Sequence, residues 1–259
     1  MKSVLPPALE PSSTRGAGQG PDRFRTMCGR YVSATPPDQI ASYFGAEAPE
    51  ALLDPSFNVA PTSDVYAVVA DGATRHVDAF HWGLVPRWAK EMKIGSKMIN
   101  ARAETLAEKS AFKSAFMKRR CIIPADGFYE WQKNANDPKK GRKQPYFIHR
   151  PDGEPFAFAG LWEVWRGPDK DQEPIRSCTI ITTTPNDAMA AIHDRMPVIL
   201  PPSAWDTWLD REVDDLELLG RLLVPSPSSI ISMHPVSTLV NNVRNNGAEL
   251  MAEADELVE

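Results

Sequence analysis

Short hydrophobic runs bounded by turn residues limit the fold of this chain more than any other feature. Runs rich in β-branched and aromatic residues predict strands at 65–70, 76–82, 121–123, 146–149, 155–165, 175–184 and 230–236. The 24 prolines among 259 residues add turns and edge segments, which argues against a helical bundle. The chain is therefore expected to be built mainly from short strands.

Helical patterns are fewer and shorter. They occur at 37–44, 105–118, 186–192, 202–210 and 214–223. In the second of these, apolar residues from Leu106 to Phe116 share one face, whereas Lys109 and Lys113 lie on another. Strands interspersed irregularly with short helices predict an α+β fold: one domain with a mixed, barrel-like β-sheet and peripheral short helices.

The first residues differ in composition from the rest of the chain. Residues 1–26 hold four prolines and three glycines without hydrophobic periodicity, which predicts a disordered leader or an artefact of start-site choice. A double proline stands where a signal peptide needs an apolar run, so secretion is not expected. The domain is predicted to span 27–250 and to be followed by an acidic tail at 251–259.

Charge is unevenly distributed along the sequence. The net charge is −5, yet residues 87–143 hold fifteen Lys and Arg against six Asp and Glu. Residues 205–259 hold three Arg against eleven acidic residues. The pattern fits either a polyanion-binding face on an acidic protein or two solvated faces of opposite sign.

The three cysteines, Cys28, Cys121 and Cys178, have no CxxC spacing. This fits a reducing, cytoplasmic location and argues against a disulfide framework or a zinc site. Cys121 and Cys178 lie in apolar strand-like runs and are interpreted as structural. No apolar stretch approaches the ~18 residues of a membrane span. Neither a cofactor nor a membrane partner is expected.

Cys28 differs from the other two cysteines because it directly follows Met27. A cysteine exposed by removal of the preceding residues carries a thiol and a free α-amine. Such a 1,2-aminothiol condenses with aldehydes in a way that no internal cysteine can. Taken alone, however, a cysteine in this position is more often a small buried hydrophobe. The choice between these interpretations depends on more distant motifs.

Several short segments are more specific than packing requires. They are Met-Cys-Gly-Arg-Tyr at 27–31, Asn-Ala-Arg-Ala-Glu at 100–104, Gly-Phe-Tyr-Glu-Trp at 127–131, His-Asp-Arg-Met-Pro at 193–197 and Val-Asn-Asn-Val-Arg at 240–244. In this order they resemble the SRAP family, named for SOS response-associated peptidase, over residues 27 to about 250. In that family the cysteine follows the initiator methionine, whereas here a leader precedes Met27.

The resemblance implies a protein, expected to be a monomer, that senses abasic sites in single-stranded DNA and traps them covalently. An abasic site opens to an aldehyde, and an α-amine with a pKa of roughly 7.7–8.0 can form a Schiff base with it at neutral pH. The thiol of Cys28 then closes a thiazolidine, which removes the imine and blocks β-elimination. Because the amine has to be free, reaction is expected only after removal of residues through Met27.

Three side chains of these motifs are expected to assist Cys28. Glu130 would move protons at the amine and the imine, His193 would protonate the sugar ring oxygen as the ring opens, and Asn100 would hold the cysteine or the sugar. Each has a structural alternative: an exposed acidic residue in a turn, a hydrogen-bonded structural histidine, and a polar residue ahead of a helix.

Five residues are candidates for DNA contacts. Arg30 and Arg102 are suited to bidentate phosphate binding. Trp82, Pro61 and Trp88 are candidates to stack on bases or wedge beside the lesion, although the tryptophans fit core positions equally well. Backbone and stacking contacts read no base edges, so binding without sequence preference is expected.

Two other functions are compatible with the sequence. Cys28, His193 and Glu130 fit the nucleophile, base and orienting residue of a cysteine peptidase, which could also remove the residues ahead of Cys28. The chain could instead be a non-covalent reader of modified or single-stranded DNA. A denaturation-resistant DNA adduct separates the trapping function from both.

Overall fold

The computed structural model describes residues 29–132, 143–168 and 173–255. In these residues the strands are β1 (Tyr31–Ser33), β2 (Ser56–Val59), β3 (Asp64–Asp71), β4 (Thr74–Trp82), β5 (Asn100–Arg102), β6 (Arg120–Ala125), β7 (Gly127–Gln132), β8 (Gln144–His149), β9 (Phe156–Trp165), β10 (Ile175–Thr183), β11 (Met196–Pro197) and β12 (Ser232–Pro235). The α-helices are α1 (Pro37–Phe44), α2 (Lys113–Lys118), α3 (Asp187–Ala190), α4 (Trp205–Leu209) and α5 (Leu216–Arg221). Short 3-10 helices lie at Met92–Lys97, Ala103–Thr105, Pro202–Ala204, Ser228–Ile230, Thr238–Asn241 and Ala248–Met251.

The predicted strands are confirmed as β3, β4, β6, β8, β9, β10 and β12, with ends that move by a few residues. The strands that the sequence analysis missed are β1, β2, β5, β7 and β11. Four of the five span only two to four residues, and all except β1 contain a Gly, Asn or Pro residue, which locally favours turns. Pairing with neighbouring strands overrides that preference.

The helix predicted at 105–118 is wrong over its first half. Only α2 is α-helical, and a 3-10 helix occupies Ala103–Thr105. Leu106 and Phe112 are six residues apart, so a continuous helix with 3.6 residues per turn would point them about 120° apart. The break allows both side chains to pack in the same core.

The larger sheet closes on itself, which confirms the barrel-like expectation. Strand β10 pairs with β4, and the path continues through β3, β6 and β9 back to β10. The sheet is mixed, because β10 is parallel to β4 and β5 but antiparallel to β9 and β11. The second sheet has the order β12-β8-β7-β1-β2.

Alternate residues of β3 divide between two cores, as the period of two in a strand requires. Val65, Ala67 and Val69 pack with side chains of the second sheet, such as Phe128. Tyr66 and Val68 pack with the helices on the other side of the strand. Both faces of β3 are therefore buried, which explains its continuous apolar sequence. In the part of the chain that the structure describes, no helix is long and apolar enough to cross a membrane.

Arg120 is a buried cation that ties the helices to the closed sheet. Its side chain donates to five backbone carbonyl oxygens, those of Phe116, Met117, Trp208, Asp210 and Val213. Burial lowers the pKa of Arg120 to about 10. The guanidinium thus supplies the hydrogen bonds that water would otherwise donate to carbonyl groups at the ends of α2 and α4.

Candidate functional site

Cys28 lies outside the described residues, so the site is traced from Gly29, the residue bonded to it. Strand β1 runs antiparallel to β7, with Tyr31 opposite Phe128, and the Tyr129 N–H donates to the Arg30 carbonyl oxygen at 3.0 Å. Extending this register by two residues places Gly29 opposite Glu130. Glu130 is only 2% exposed. It is a buried strand residue, which contradicts the alternative of an exposed acidic residue in a turn.

Arg30 is half-buried and bound to other parts of the protein. Its Nη1 donates to Asn58 Oδ1 and to the Val240 carbonyl oxygen, both at 2.9 Å. Its Nη2 donates to the Asn241 carbonyl oxygen at 3.4 Å, and its guanidinium lies 5.9 Å from the centre of the Trp131 ring. Burial lowers the pKa of Arg30. A phosphate would therefore compete with bonds that Arg30 already makes.

Asn58 organises the same region from a buried position. Its side-chain nitrogen lies within hydrogen-bond distance of the carbonyl oxygens of Val240, Asn242 and Asn245, at 3.1–3.2 Å, while its oxygen accepts from Arg30. One side chain thereby joins β2 to the segment 240–245 and to the start of β1. The sequence analysis identified the segment 240–244 as specific but gave Asn58 no role.

Strand β10 brings two other motifs together. Its residues 180–182 pair in parallel with Asn100 to Arg102 of β5, and its residues 182 and 183 pair with Pro197 and Met196 of β11. Strands β5 and β11 therefore flank the same end of β10. This places Asn100 and Arg102 near the segment 193–197 that leads into β11. Asn100 is itself a strand residue, and the 3-10 helix Ala103–Thr105 begins directly after β5.

His193 is held by its own motif. The Arg195 backbone N–H donates to His193 Nδ1 at 3.1 Å, so the neutral ring carries its proton on Nε2. Asp194 Oδ1 lies 3.2 Å from the same Nδ1, where it can pair with the charged ring. The neutral imidazole can therefore donate a hydrogen bond from Nε2, and the charged ring, with Nδ1 beside Asp194, can give up the Nε2 proton.

Arg195 links the two flanking strands through Glu104. Its terminal nitrogens make a bidentate pair with the Glu104 carboxylate, at 2.5 and 2.9 Å, and one of them also donates to the Thr182 carbonyl oxygen at 2.7 Å. The hydrogen bonds from Arg195 lower the pKa of Glu104 below its ordinary value of 4.5. The pair fixes the segment after His193 against the segment after Arg102.

Replacing Glu104 by Gln is expected to reduce stability by about 1 kcal/mol at neutral pH, because it removes a bidentate but half-exposed ion pair. Since the pKa of Glu104 is lower in the folded state, the pair contributes fully above pH 4.5 and the contribution disappears as the pH falls through the lowered pKa. Urea unfolding at neutral and acidic pH measures this. Glu217→Gln in the exposed Glu217–Arg221 pair is the control. A Glu104→Gln deficit that persists unchanged at acidic pH would contradict the prediction.

Contacts between the motifs join them into one region. Gln132 Nε2, at the end of β7, donates to the Ala191 carbonyl oxygen at 3.2 Å, two residues before His193. One core cluster contains Tyr31, Ile99 and Ile192, the neighbours of Arg30, Asn100 and His193. The end of β7 therefore contacts the segment before β11, and the residues next to Arg30, Asn100 and His193 belong to one core that also includes β10.

Trp82 lies in the core of this region and corrects one prediction. It is 0% exposed, its indole N–H donates to the Ile99 carbonyl oxygen at 2.9 Å, and its ring packs edge-on against Tyr31. Stacking of Trp82 on a base, as the sequence analysis suggested, is wrong because neither ring face is accessible. The indole instead supports Ile99 and, through it, the position of Asn100.

The remaining DNA-contact candidates are at the surface. Trp88 is 57% exposed, Arg102 is exposed, and Pro61 is half-buried in the turn after β2. The next residue, Thr62, has a φ of 72°, and its N–H donates to the Trp82 carbonyl oxygen at 2.8 Å, which holds this turn against the end of β4. Within the described residues, no group of three or more His, Cys, Asp or Glu side chains is arranged to bind a metal ion.

The fold and site define an α+β protein with a closed mixed sheet and a polar site at the end of β10. The family model described as SOS response associated peptidase (SRAP) matches residues 27–243. The chain belongs to this family.

Curated relatives share most of the chain. It is 44% identical over 227 residues to abasic site processing protein YoqW of Bacillus subtilis strain 168, covering 87% of this chain and 99% of that protein. It is 33% identical over 232 residues to abasic site processing protein YedK of Escherichia coli strain K12, with 87% and 99% covered. Identity to abasic site processing protein HMCES of Gallus gallus is 36% over 234 residues, covering 78% of this chain and 67% of that protein.

Solved structures agree with the fold. A crystal structure of a protein from Bacteroides thetaiotaomicron superposes with a TM-score of 0.77 at 25% identity, covering 88% of this chain and 100% of that one. A protein from Bordetella bronchiseptica gives a TM-score of 0.68 at 27% identity, with 81% and 100% covered.

Proposed function

We propose that this chain recognises abasic sites in single-stranded DNA and shields them through a covalent bond to Cys28. The observation that carries the proposal is the buried Glu130 opposite Gly29, on a strand whose end contacts the segment before His193, in a chain whose relatives are abasic site processing proteins. A buried carboxylate suited to proton transfer thereby lies opposite the residue bonded to Cys28.

The reaction uses both reactive groups of a terminal Cys28. Its amine attacks the C1′ aldehyde of the opened sugar, and loss of the hydroxyl as water leaves a Schiff base. The thiol adds to the same carbon, and its proton passes to the nitrogen as the five-membered thiazolidine closes. The net change is the release of one water, so the step requires no oxidant or reductant.

Three side chains assist the reaction, each with a separate role: Glu130, His193 and Asn100. Glu130, buried opposite Gly29, takes a proton from the α-ammonium and returns it to the departing hydroxyl. The charged His193 ring, with Nδ1 beside Asp194, gives its Nε2 proton to the sugar ring oxygen and becomes neutral. The Asn100 amide hydrogen-bonds to the cysteine or the sugar without competing for protons.

Contacts to the DNA strand come from the exposed candidates. Arg102 binds a phosphate, and Trp88 and Pro61 contact bases beside the lesion. Arg30 acts more through its neighbours: its bonds to Asn58 and the Val240 carbonyl oxygen hold the start of β1 in place. Arg30 can contact a phosphate only through the part of its guanidinium that remains accessible beside these internal hydrogen bonds.

A free amine on Cys28 requires cleavage after Met27, and the peptidase in the family description favours self-cleavage by the same residues. Intact mass of the purified active protein and of a Cys28→Ala variant, both made with residues 1–27, tests this step. Self-cleavage predicts that only the variant keeps these residues. Their loss from both proteins assigns the cleavage to another enzyme.

The covalent function is tested with protein that begins at Cys28. It is incubated with a single-stranded oligonucleotide carrying an abasic site, and with the same oligonucleotide carrying a tetrahydrofuran analogue that has no aldehyde. We expect a heat- and SDS-resistant adduct with the first alone, at the summed mass of protein and DNA less one water. Equal, non-covalent binding of both would support a reader of modified DNA instead.

A further inference from the structure

The loop between β4 and β5 presents Trp88 on a rigid support. The residue before it, Arg87, donates from Nε to Oε1 of the buried Glu163 at 2.8 Å. The residue after it, Ala89, accepts at its carbonyl oxygen from the Trp165 indole N–H, also at 2.8 Å. An exposed tryptophan whose two neighbours are both fixed loses little conformational freedom when it binds a ligand.

A crossing of two glycines shapes the base of this loop. A Cβ on Gly83, whose φ is 138°, would lie 2.7 Å from the Gly95 carbonyl oxygen, and a Cβ on Gly95 would lie 2.4 Å from the Gly83 carbonyl oxygen. Only glycine fits at either position. The close approach holds the 3-10 helix Met92–Lys97 against the end of β4.

A cavity of about 540 Å³ opens beside Trp88, within this loop. Lys90, Lys93 and Lys97 line it together with Ile94, against a single acidic residue, Glu91, which pairs with Lys93. An aromatic face with an excess of positive charge suits a nucleic-acid strand, whose bases stack and whose phosphates are anionic.

Arg87, the residue before Trp88, adds an oriented phosphate-binding group. Its side chain is 62% exposed, and only Nε is used by Glu163. No described residue accepts from its terminal nitrogens, so these can make the paired bonds that a phosphate accepts. Glu163 is itself fixed by Arg119 at 2.8 Å and by the Val164 N–H at 2.9 Å.

We propose that Arg87, Lys90 and Lys93 join Trp88, the base contact of the proposed function, in a DNA subsite that binds the single strand on one flank of the lesion. Trp88 stacks on a base, and the three cations bind phosphates. The inference rests on the proposed function. The loop leads directly into β5. Lys97, which lines the cavity, is three residues from Asn100, at most about 11 Å along the chain. The subsite is therefore adjacent to the region of Asn100.

Anisotropy titrations with plain single-stranded DNA test the subsite independently of covalent chemistry. Oligonucleotides with flanks of about ten nucleotides on both sides, or shortened on one side, cover typical site sizes of ~4–16 nucleotides. Trp88→Ala is expected to weaken binding of the long oligonucleotide by about tenfold to hundredfold. Lys90→Gln with Lys93→Gln should reduce the slope of log affinity against log salt by ~0.7 for each phosphate lost.

The control is Lys109→Gln with Lys113→Gln, which makes the same charge change at two exposed lysines outside the loop. Shortening the flank that reaches the subsite should abolish the difference between the subsite variants and unaltered protein. Losses on the long oligonucleotide no larger than those of the control would overturn the proposal. Failure to form an adduct would instead refute the covalent function and leave this measurement intact.

Glu163 is a positioning residue in this proposal, and a double-mutant cycle tests it. If Glu163 acts by orienting Arg87, Glu163→Gln should weaken binding of the long oligonucleotide in unaltered protein but have no further effect beside Arg87→Gln. A purely structural role would give the same loss in both backgrounds and would refute the orienting role.

Discussion

Protein that begins at Cys28 is expected to form a denaturation-resistant adduct with abasic single-stranded DNA, and protein that retains residues 1–27 is expected to form none. In the longer form the Cys28 nitrogen is part of a peptide bond, whose lone pair is delocalised, so it cannot attack an aldehyde. The thiol alone gives only a reversible hemithioacetal. Denaturing gels and intact mass of both forms measure the difference, which should be all or none.

Cys28→Ala in the shorter form separates the two reactive groups. It keeps a terminal amine and loses the thiol, so a Schiff base forms but no thiazolidine can close. We expect no adduct that survives heating, an adduct that appears when borohydride is added, and increased strand cleavage by β-elimination. A stable adduct of the longer form, with residues 1–27 still attached by peptide mapping, would refute the aminothiol mechanism.

Glu130→Gln is expected to slow adduct formation by about 10²–10⁴-fold, the usual contribution of a general acid–base residue. Gln has nearly the same shape as Glu, so the substitution suits a strand position that is 2% exposed. The rate follows from single-turnover gels, and the thermal midpoint checks that the protein is folded. Glu108→Gln, at an exposed residue, is the matched control.

The pH dependence distinguishes proton transfer from a structural role for Glu130. If Glu130 removes a proton from the α-ammonium, raising the pH above roughly 8, where the amine is already neutral, should restore part of the lost rate. A defect of constant size across pH would show that Glu130 acts by packing. Full activity of Glu130→Gln would remove Glu130 from the mechanism.

Local patterns predicted most of the strands, because burial of alternate β-branched and aromatic side chains is a property of a few consecutive residues. They failed for β5 and β7, which carry Asn100 and Glu130, and for β1, which follows Arg30. These strands form because neighbouring strands provide hydrogen-bond partners that are distant in sequence. The motif that looked like a turn around Glu130 is a buried strand for this reason.

The two tryptophans of the β4–β5 region show that local patterns also fail to predict which side chains are accessible to a ligand. Trp82 and Trp88 are six residues apart and look alike in sequence, yet one is fully buried and the other 57% exposed. Arg87 and Glu163 received no role from the sequence, because their ion pair joins residues 76 positions apart. A surplus of cations in residues 87–143 was the one signal that could have drawn attention to Arg87.

The sequence by itself determined the α+β class, most of the strands and the reactivity expected of a cysteine that follows a methionine, since these depend on neighbouring residues. Only the tertiary structure decided which polar groups are free to meet DNA. Arg30 is bonded to residues 28 and 210 positions away, whereas Arg87 keeps its terminal nitrogens exposed. Burial and hydrogen bonding are properties of the folded chain, and they decide which arginine can meet a phosphate.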